Sequence, residues 1–204
     1  MTGRANGRGS RGARRAAAVV ALTVLVPLLA GCAANNVAAP MCTPESSLPE
    51  RLLVAQSIPD ASLVPCIEVF PAGWNFGGMT VAAGETVFTL DNDRGGFDAM
   101  KVTMTPVCAI GDARPQQVQG DEIGTTKYVR PIETGGRILP ATAFYRYPGA
   151  CVTVEYRLAA DAPSSLFAEA GTALSFLPRS EIVAETSERI GEILCGAEAP
   201  PCPG

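Results

Sequence analysis

Glu85-Thr86-Val87-Phe88-Thr89-Leu90, then Asp91-Asn92-Asp93-Arg94-Gly95-Gly96, then Ala99-Met100-Lys101-Val102-Thr103-Met104-Thr105: the reading of this stretch decides the fold. The first block is rich in β-branched and aromatic residues, which suit a pleated, half-buried surface. The second supplies Asn, Asp and Gly, the residues that accept turn conformations. In the third, Met100, Val102 and Met104 fall on one face and Lys101, Thr103 and Thr105 on the other. A period of two is that of a strand with one face buried, so the stretch reads as a β-hairpin. The outgoing arm alternates less cleanly, because Val87, Phe88 and Leu90 fall on both faces, which suits a central strand.

Working outward, short strand-like runs continue on both sides. Ile67 to Phe70 precedes Pro71, and Gly73 to Gly78 and Met79 to Val81 lead into the hairpin. Beyond Pro106, a polar loop from Gly111 to Gly124 leads to a strand over Thr125 to Arg130. A second loop covers Pro131 to Pro140, with Gly135-Gly136 inside it. Phe144 to Tyr147 and Cys151 to Leu158 then pair through Pro148-Gly149, and Val152, Val154, Tyr156 and Leu158 alternate with polar neighbours. Cys42 to Pro65 carries Pro44, Pro49, Pro59 and Pro65, which leaves room for one short helix over Glu50 to Gln56.

The period changes near the C-terminus. Ser164 to Leu177 reads as a helix that Pro178 ends. Ser180 is placed to cap a second helix carrying Ile182, Val183, Thr186, Ile190, Ile193 and Leu194 opposite Glu181, Glu185, Glu188 and Glu192, with Gly196 as its stop. The expected fold is α+β: a mostly antiparallel β sandwich or open barrel of seven or eight short strands, with one or two C-terminal helices.

The N-terminus carries a different signal. Arg4, Arg8, Arg11, Arg14 and Arg15 precede an uncharged run, Ala16 to Ala30, that ends in Leu29-Ala30-Gly31-Cys32. Charge, apolar stretch and small residues come in the order of a secretory signal, and about fifteen apolar residues fall short of the roughly 20 needed to span a bilayer. Leu29-Ala30-Gly31-Cys32 resembles the lipobox of bacterial lipoprotein precursors. That resemblance implies a diacylglyceryl group on the Cys32 sulfur, cleavage between Gly31 and Cys32, and a palmitate-type anchor at the extracytoplasmic face of the cell membrane. The alternative is an ordinary signal cut nearby, with Cys32 in a disulfide. Arg14-Arg15 is a twin pair, but the following Ala-Ala-Ala-Val-Val departs from the twin-arginine pattern, so both export routes stay open, the general secretory one being preferred.

The expected organisation is thus a signal peptide over 1–31, a lipidated cysteine and flexible tether over 32–41, and one extracytoplasmic domain over 42–204. With the signal removed, eleven basic residues face twenty acidic ones, a net side-chain charge of −9. That balance argues against nucleic acid as a partner and against a polybasic contribution to the anchor. The partners expected are the membrane, through lipid, and a protein, glycan or lipid not specified by sequence.

With Cys32 assigned to lipid, six cysteines remain: Cys42, Cys66, Cys108, Cys151, Cys195 and Cys202. An even set outside the cytoplasm, without CxxC spacing or histidine, reads as up to three disulfides and not as zinc. Proximity along the chain favours Cys42–Cys66, Cys108–Cys151 and Cys195–Cys202, with a Cys42–Cys202 staple as the open alternative.

Catalytic signals are sparse. The chain has no histidine, which excludes His-based triads and His-ligated metals. Its two lysines, Lys101 and Lys127, recruit no particular serine. Two carboxylates at hydrolase spacing would not be visible in sequence, so an envelope hydrolase using carboxylate acid–base chemistry stands as the rival function. Asp91-Asn92-Asp93-Arg94-Gly95-Gly96 opens like a calcium-binding EF-hand loop, but Gly95 and Val102 occupy ligand positions. Asp91, Asp93 and Asp98 are therefore weak calcium candidates, with a hairpin turn as the plainer reading, and no cofactor is implied. Trp74, Phe76, Tyr145 and Tyr147 are the candidate binding aromatics, weighed against ordinary core packing. The sequence favours a non-enzymatic binding or structural module, and it sets a criterion. Convergent acids in a deep pocket would favour the hydrolase, and a shallow apolar or aromatic surface would favour binding.

Overall fold

The computed structural model describes residues 37–43, 47–117, 124–134, 137–158 and 162–202. The expected signal over 1–31, Cys32, residues 33–36, the loop centre 118–123 and Gly135-Gly136 lie outside the described residues. The elements run α1 (Leu48–Ser57), β1 (Leu63–Ile67), β2 (Trp74–Ala82), β3 (Glu85–Asn92) and β4 (Gly96–Thr105). They continue with β5 (Arg114–Gln116), β6 (Thr126–Thr134), β7 (Arg137–Tyr147), β8 (Ala150–Tyr156), α2 (Ser164–Ala173), β9 (Leu174–Pro178) and α3 (Arg179–Ile190).

The fold is α+β, as the periodicities require. Seven strands form one antiparallel sheet in the order β2-β3-β4-β8-β7-β6-β5, and β1 pairs with β9 in a separate antiparallel ribbon. The hairpin sits where its patterning put it. Phe88 faces Val102 and Leu90 faces Met100 across β3 and β4, and Met100, Val102 and Met104 are fully buried. β3 alternates cleanly after all, with Thr86, Phe88, Leu90 and Asn92 inward, because β2 and β4 flank it. The Asn92 carboxamide oxygen accepts the backbone N–H groups of Arg94 and Gly95 and closes the turn.

The inner face of the sheet packs against a second layer made of α1, the ribbon, α2 and α3. Val54, Val64, Leu166, Phe176 and Ile182 meet Phe88, Val102, Val152 and Val154 in one continuous core. Two arginines are buried in this layer. Arg51, 2% exposed, pairs with Glu185 at 2.8 Å and ties α1 to α3. Arg179 donates to the Ala55 carbonyl at 2.5 Å and to the Cys195 carbonyl at 2.8 Å, holding the C-terminal segment. Burial lowers the Arg179 pKa from its ordinary value, and the charge of Asp60 opposes that shift. Gly149, at φ +82, closes the β7–β8 turn where a Cβ would fall 1.7 Å from the Asp60 carbonyl oxygen, so no other residue fits.

The three disulfides are Cys42–Cys66, Cys108–Cys151 and Cys195–Cys202; the Cys42–Cys202 staple is not formed. The first pins the incoming chain to β1. The second draws the segment after β4 onto the outer face of β8, where Arg130 holds it through the Ile110 carbonyl and the Asp112 carboxylate.

Several boundaries differ from the sequence reading, for identifiable reasons. The helix begun at Ser164 ends at Ala173, and Leu174–Pro178 is strand, because Leu177 precedes a proline and the segment pairs with β1. β1 itself lies earlier than Ile67–Phe70 and includes Pro65, tolerated in a two-stranded ribbon. The expected loop Pro131–Pro140 is instead the distal half of the β6–β7 hairpin, and β5 lies within the loop expected from Gly111. α1 is a full ten residues with Pro49 in its first turn. Ser180 does not cap α3, which starts at Arg179, and Gly191, left-handed at φ 71, ends it before Ile193. Glu185 leaves the expected polar stripe to meet Arg51. The end of the expected tether is structured too. Met41 bridges Ile67, the Ile67 N–H donates to the Pro40 carbonyl, and Ala39 is buried.

Candidate functional site

The start of β2, the start of α1 and the incoming chain meet in a shallow groove of about 660 Å³. Ala38, Ala39 and Met41 form one wall, Pro49 and Glu50 of α1 another, and Phe70, Trp74 and Phe76 the third. The Cys42–Cys66 bridge and the Met41–Ile67 pairing hold the first wall against the ribbon. Ser47 locks the corner: its Oγ accepts the Met41 N–H at 2.7 Å and donates to the Met41 carbonyl at 3.1 Å. Trp74 faces the core, paired across the sheet with Asn92, and its indole N–H donates to the Glu169 carboxylate of α2 at 3.4 Å. Arg94, from the β3–β4 turn, donates to the same carboxylate at 2.9 Å.

The lining is chiefly apolar. Among the described residues its polar side chains are Asn75, Glu50 and Ser47, and the Ser47 hydroxyl is committed to Met41. No lysine or arginine lines the groove among these residues, and Glu50 brings its only carboxylate. Such a surface offers dispersion contacts and desolvation to a hydrocarbon, but few directional groups for a sugar and no cation for a phosphate.

The aromatic candidates divide. Trp74 and Phe76 are brought together at the groove, with Phe76 half-buried. Trp74, 3% exposed, is a wall and not an open stacking platform. Tyr145 and Tyr147 belong elsewhere: both are buried beneath Phe176, at ring-centroid distances of 5.1 and 5.9 Å, which removes them as a binding surface. The Tyr147 hydroxyl is buried with no hydrogen-bond partner among the described residues, and burial pushes its phenol well above its ordinary pKa. Asp91, Asp93 and Asp98 do not converge. Asp91 Oδ1 accepts the Asp98 backbone N–H at 2.8 Å, and among the described residues no group of three Asp, Glu, His or Cys side chains could hold a metal ion.

Both lysines already have neighbours. Lys101 lies 3.9 Å from Glu155, and Lys127 Nζ stands 5.0 Å from the Tyr145 ring centroid. Sequence reasoning missed Met41, Phe70 and the α1 wall, because three separated segments build the groove and no spacing rule connects them. Among the described residues no helix is long and apolar enough to cross a membrane.

No family model, curated protein or solved structure matches this chain.

Proposed function

We propose that the chain is the precursor of a cell-envelope lipoprotein anchored through Cys32, and that its folded part is a non-enzymatic module binding a hydrocarbon ligand in the groove. The observation that carries the binding half is the shallow wall of Phe70, Trp74, Phe76 and Met41, with one lining carboxylate where a hydrolase needs a convergent pair. The anchor half rests on Leu29-Ala30-Gly31-Cys32 behind its charged and apolar run. Disulfide formation by the other six cysteines fits an extracytoplasmic address. Of the protein, glycan and lipid partners open to such a module, the apolar lining supports lipid.

Two measurements test the two halves separately. Metabolic palmitate labelling is expected to mark the wild-type protein and not Cys32→Ala; an unlabelled wild type ends the anchor reading. A spin-labelled stearic acid titrated into the protein is expected to quench Trp74 emission saturably, with Phe70→Asp abolishing the effect while the circular dichroism is kept. Quenching that stays linear with concentration would rule out a site.

A further inference from the structure

A second apolar feature lies at the groove's end of the sheet. Phe97, at the start of β4 beside the β3–β4 turn, is 90% exposed. That turn is bound to the groove wall: the Asp93 backbone N–H and the Asn92 side-chain amide both donate to the carbonyl of Gly73, the residue before Trp74. Arg94 shares the Glu169 carboxylate with the Trp74 indole. The backbone on either side of Phe97 is left-handed, at φ 90 for Gly96 and φ 52 for Asp98. Asp98 pays a steric penalty that a glycine would avoid, and the Asp91 carboxylate stabilises the bend by accepting its N–H. A large aromatic side chain is thus held in solvent by a strained backbone, which packing of the core does not require.

Chain length says what meets this end. Four residues separate Cys32 from Val37, and Ala38 already lines the groove. Five residue steps from Cys32 to Val37 reach at most about 18 Å even when fully extended. Val107, 80% exposed, lies just past the opposite end of β4, whose run from Phe97 to Thr105 covers roughly 26 Å of strand.

We propose that the groove end of the domain rests on the bilayer surface, with Phe97 immersed among the lipid headgroups. This rests on the anchor reading of Cys32. The charges at this end select the kind of surface. Asp91, Asp93, Asp98 and Glu50 are acidic, and the nearby Arg94 and Arg157 are paired with Glu169 and Glu155, so a zwitterionic surface fits and an anionic one is opposed. An exposed Phe side chain gains by leaving water for the boundary between headgroups and acyl chains, where the apolar faces of interfacial segments settle.

The test uses the full lipidated protein, purified from the producing membrane and reconstituted in phosphatidylcholine vesicles with brominated acyl chains. In a Trp74→Phe background, one probe is Phe97→Trp and the other Val107→Trp, both at exposed positions. Mass spectrometry of Cys32 is read on the same samples. The Phe97→Trp emission is expected to be quenched several-fold more than that of Val107→Trp, and to lie at shorter wavelength than in detergent-free buffer without vesicles. An acylated Cys32 with equal quenching at both positions overturns the docking and leaves the anchor standing. An unacylated Cys32 overturns both.

Discussion

Tyr147 shows how one atom sets a local energy. Its hydroxyl sits in the core beside Phe176 without a partner among the described residues, so the folded state bears a desolvation cost of about 1–3 kcal/mol that the unfolded chain avoids. The same burial keeps the phenol protonated in the folded protein beyond the pH at which an unfolded tyrosine ionises, about 10. Above that pH the unfolded chain binds fewer protons than the native one, so stability falls as pH rises, by up to about 1.4 kcal/mol per pH unit. Tyr147→Phe removes both effects. It is expected to be at least as stable as wild type at neutral pH, and to lose less stability between pH 9 and pH 11. Urea unfolding followed by circular dichroism at the two pH values checks this, and a parallel loss in both proteins contradicts it. Arg179 is the opposite case among buried polar groups: its two carbonyl partners belong to α1 and to the C-terminal segment, so its charge is put to structural use.

At the scale of elements, the disulfides divide the work unequally. Their sequence separations are 24, 43 and 7 residues. Loop-closure entropy then assigns about 3.5, 4 and 2.5 kcal/mol to Cys42–Cys66, Cys108–Cys151 and Cys195–Cys202. Cys42 and Cys66 are also buried in the core layer, so their loss adds a packing cost, whereas Cys202 is exposed. Paired Cys→Ala replacements are expected to lower the urea midpoint least for Cys195/Cys202 and clearly more for the other two; an equal or larger drop for Cys195/Cys202 would break the ranking. Elements were legible in sequence where local signals agreed. The Glu85–Thr105 hairpin carried its alternation and its turn chemistry within twenty-one residues. Leu174–Pro178 was not legible, because Phe176 and Leu177 continue a helical spacing and only pairing with β1, a hundred residues away in sequence, makes them a strand. The distal β6–β7 hairpin was hidden for a related reason: Pro131 and Pro140 read as breakers, yet they face each other where the ladder shifts register. The groove was hidden at shorter range: its three walls lie within Ala38 to Phe76, but only the Cys42–Cys66 bridge and the Met41–Ile67 pairing bring them together. Phe97 was not singled out either, because a lone apolar residue beside a turn does not show whether the fold will bury it.

Over the whole molecule, charge and apolar surface pull in different directions, and their balance is measurable. Residues 32–204 carry −9, while the groove and Phe97 offer apolar contact at one end. Two acyl chains on Cys32 would hold the protein at about 0.8 kcal/mol per buried CH₂, far more than surface charge can oppose. On the proposed anchor, charge would not decide whether the protein stays bound; it would decide how closely the domain approaches. Replacing a third of the phosphatidylcholine with phosphatidylglycerol is expected to reduce quenching of the Phe97→Trp probe at low salt, without releasing protein into the supernatant. The Debye length is about 10 Å at 0.1 M salt and about 3 Å at 1 M, so raising salt should restore the quenching by screening the acidic face. Restoration at high salt would assign the effect to repulsion over several ångströms. Quenching that is lost on anionic vesicles and stays lost at 1 M salt would instead point to a short-range clash at the turn itself, with Asp98 and Asp93 as the residues to neutralise next.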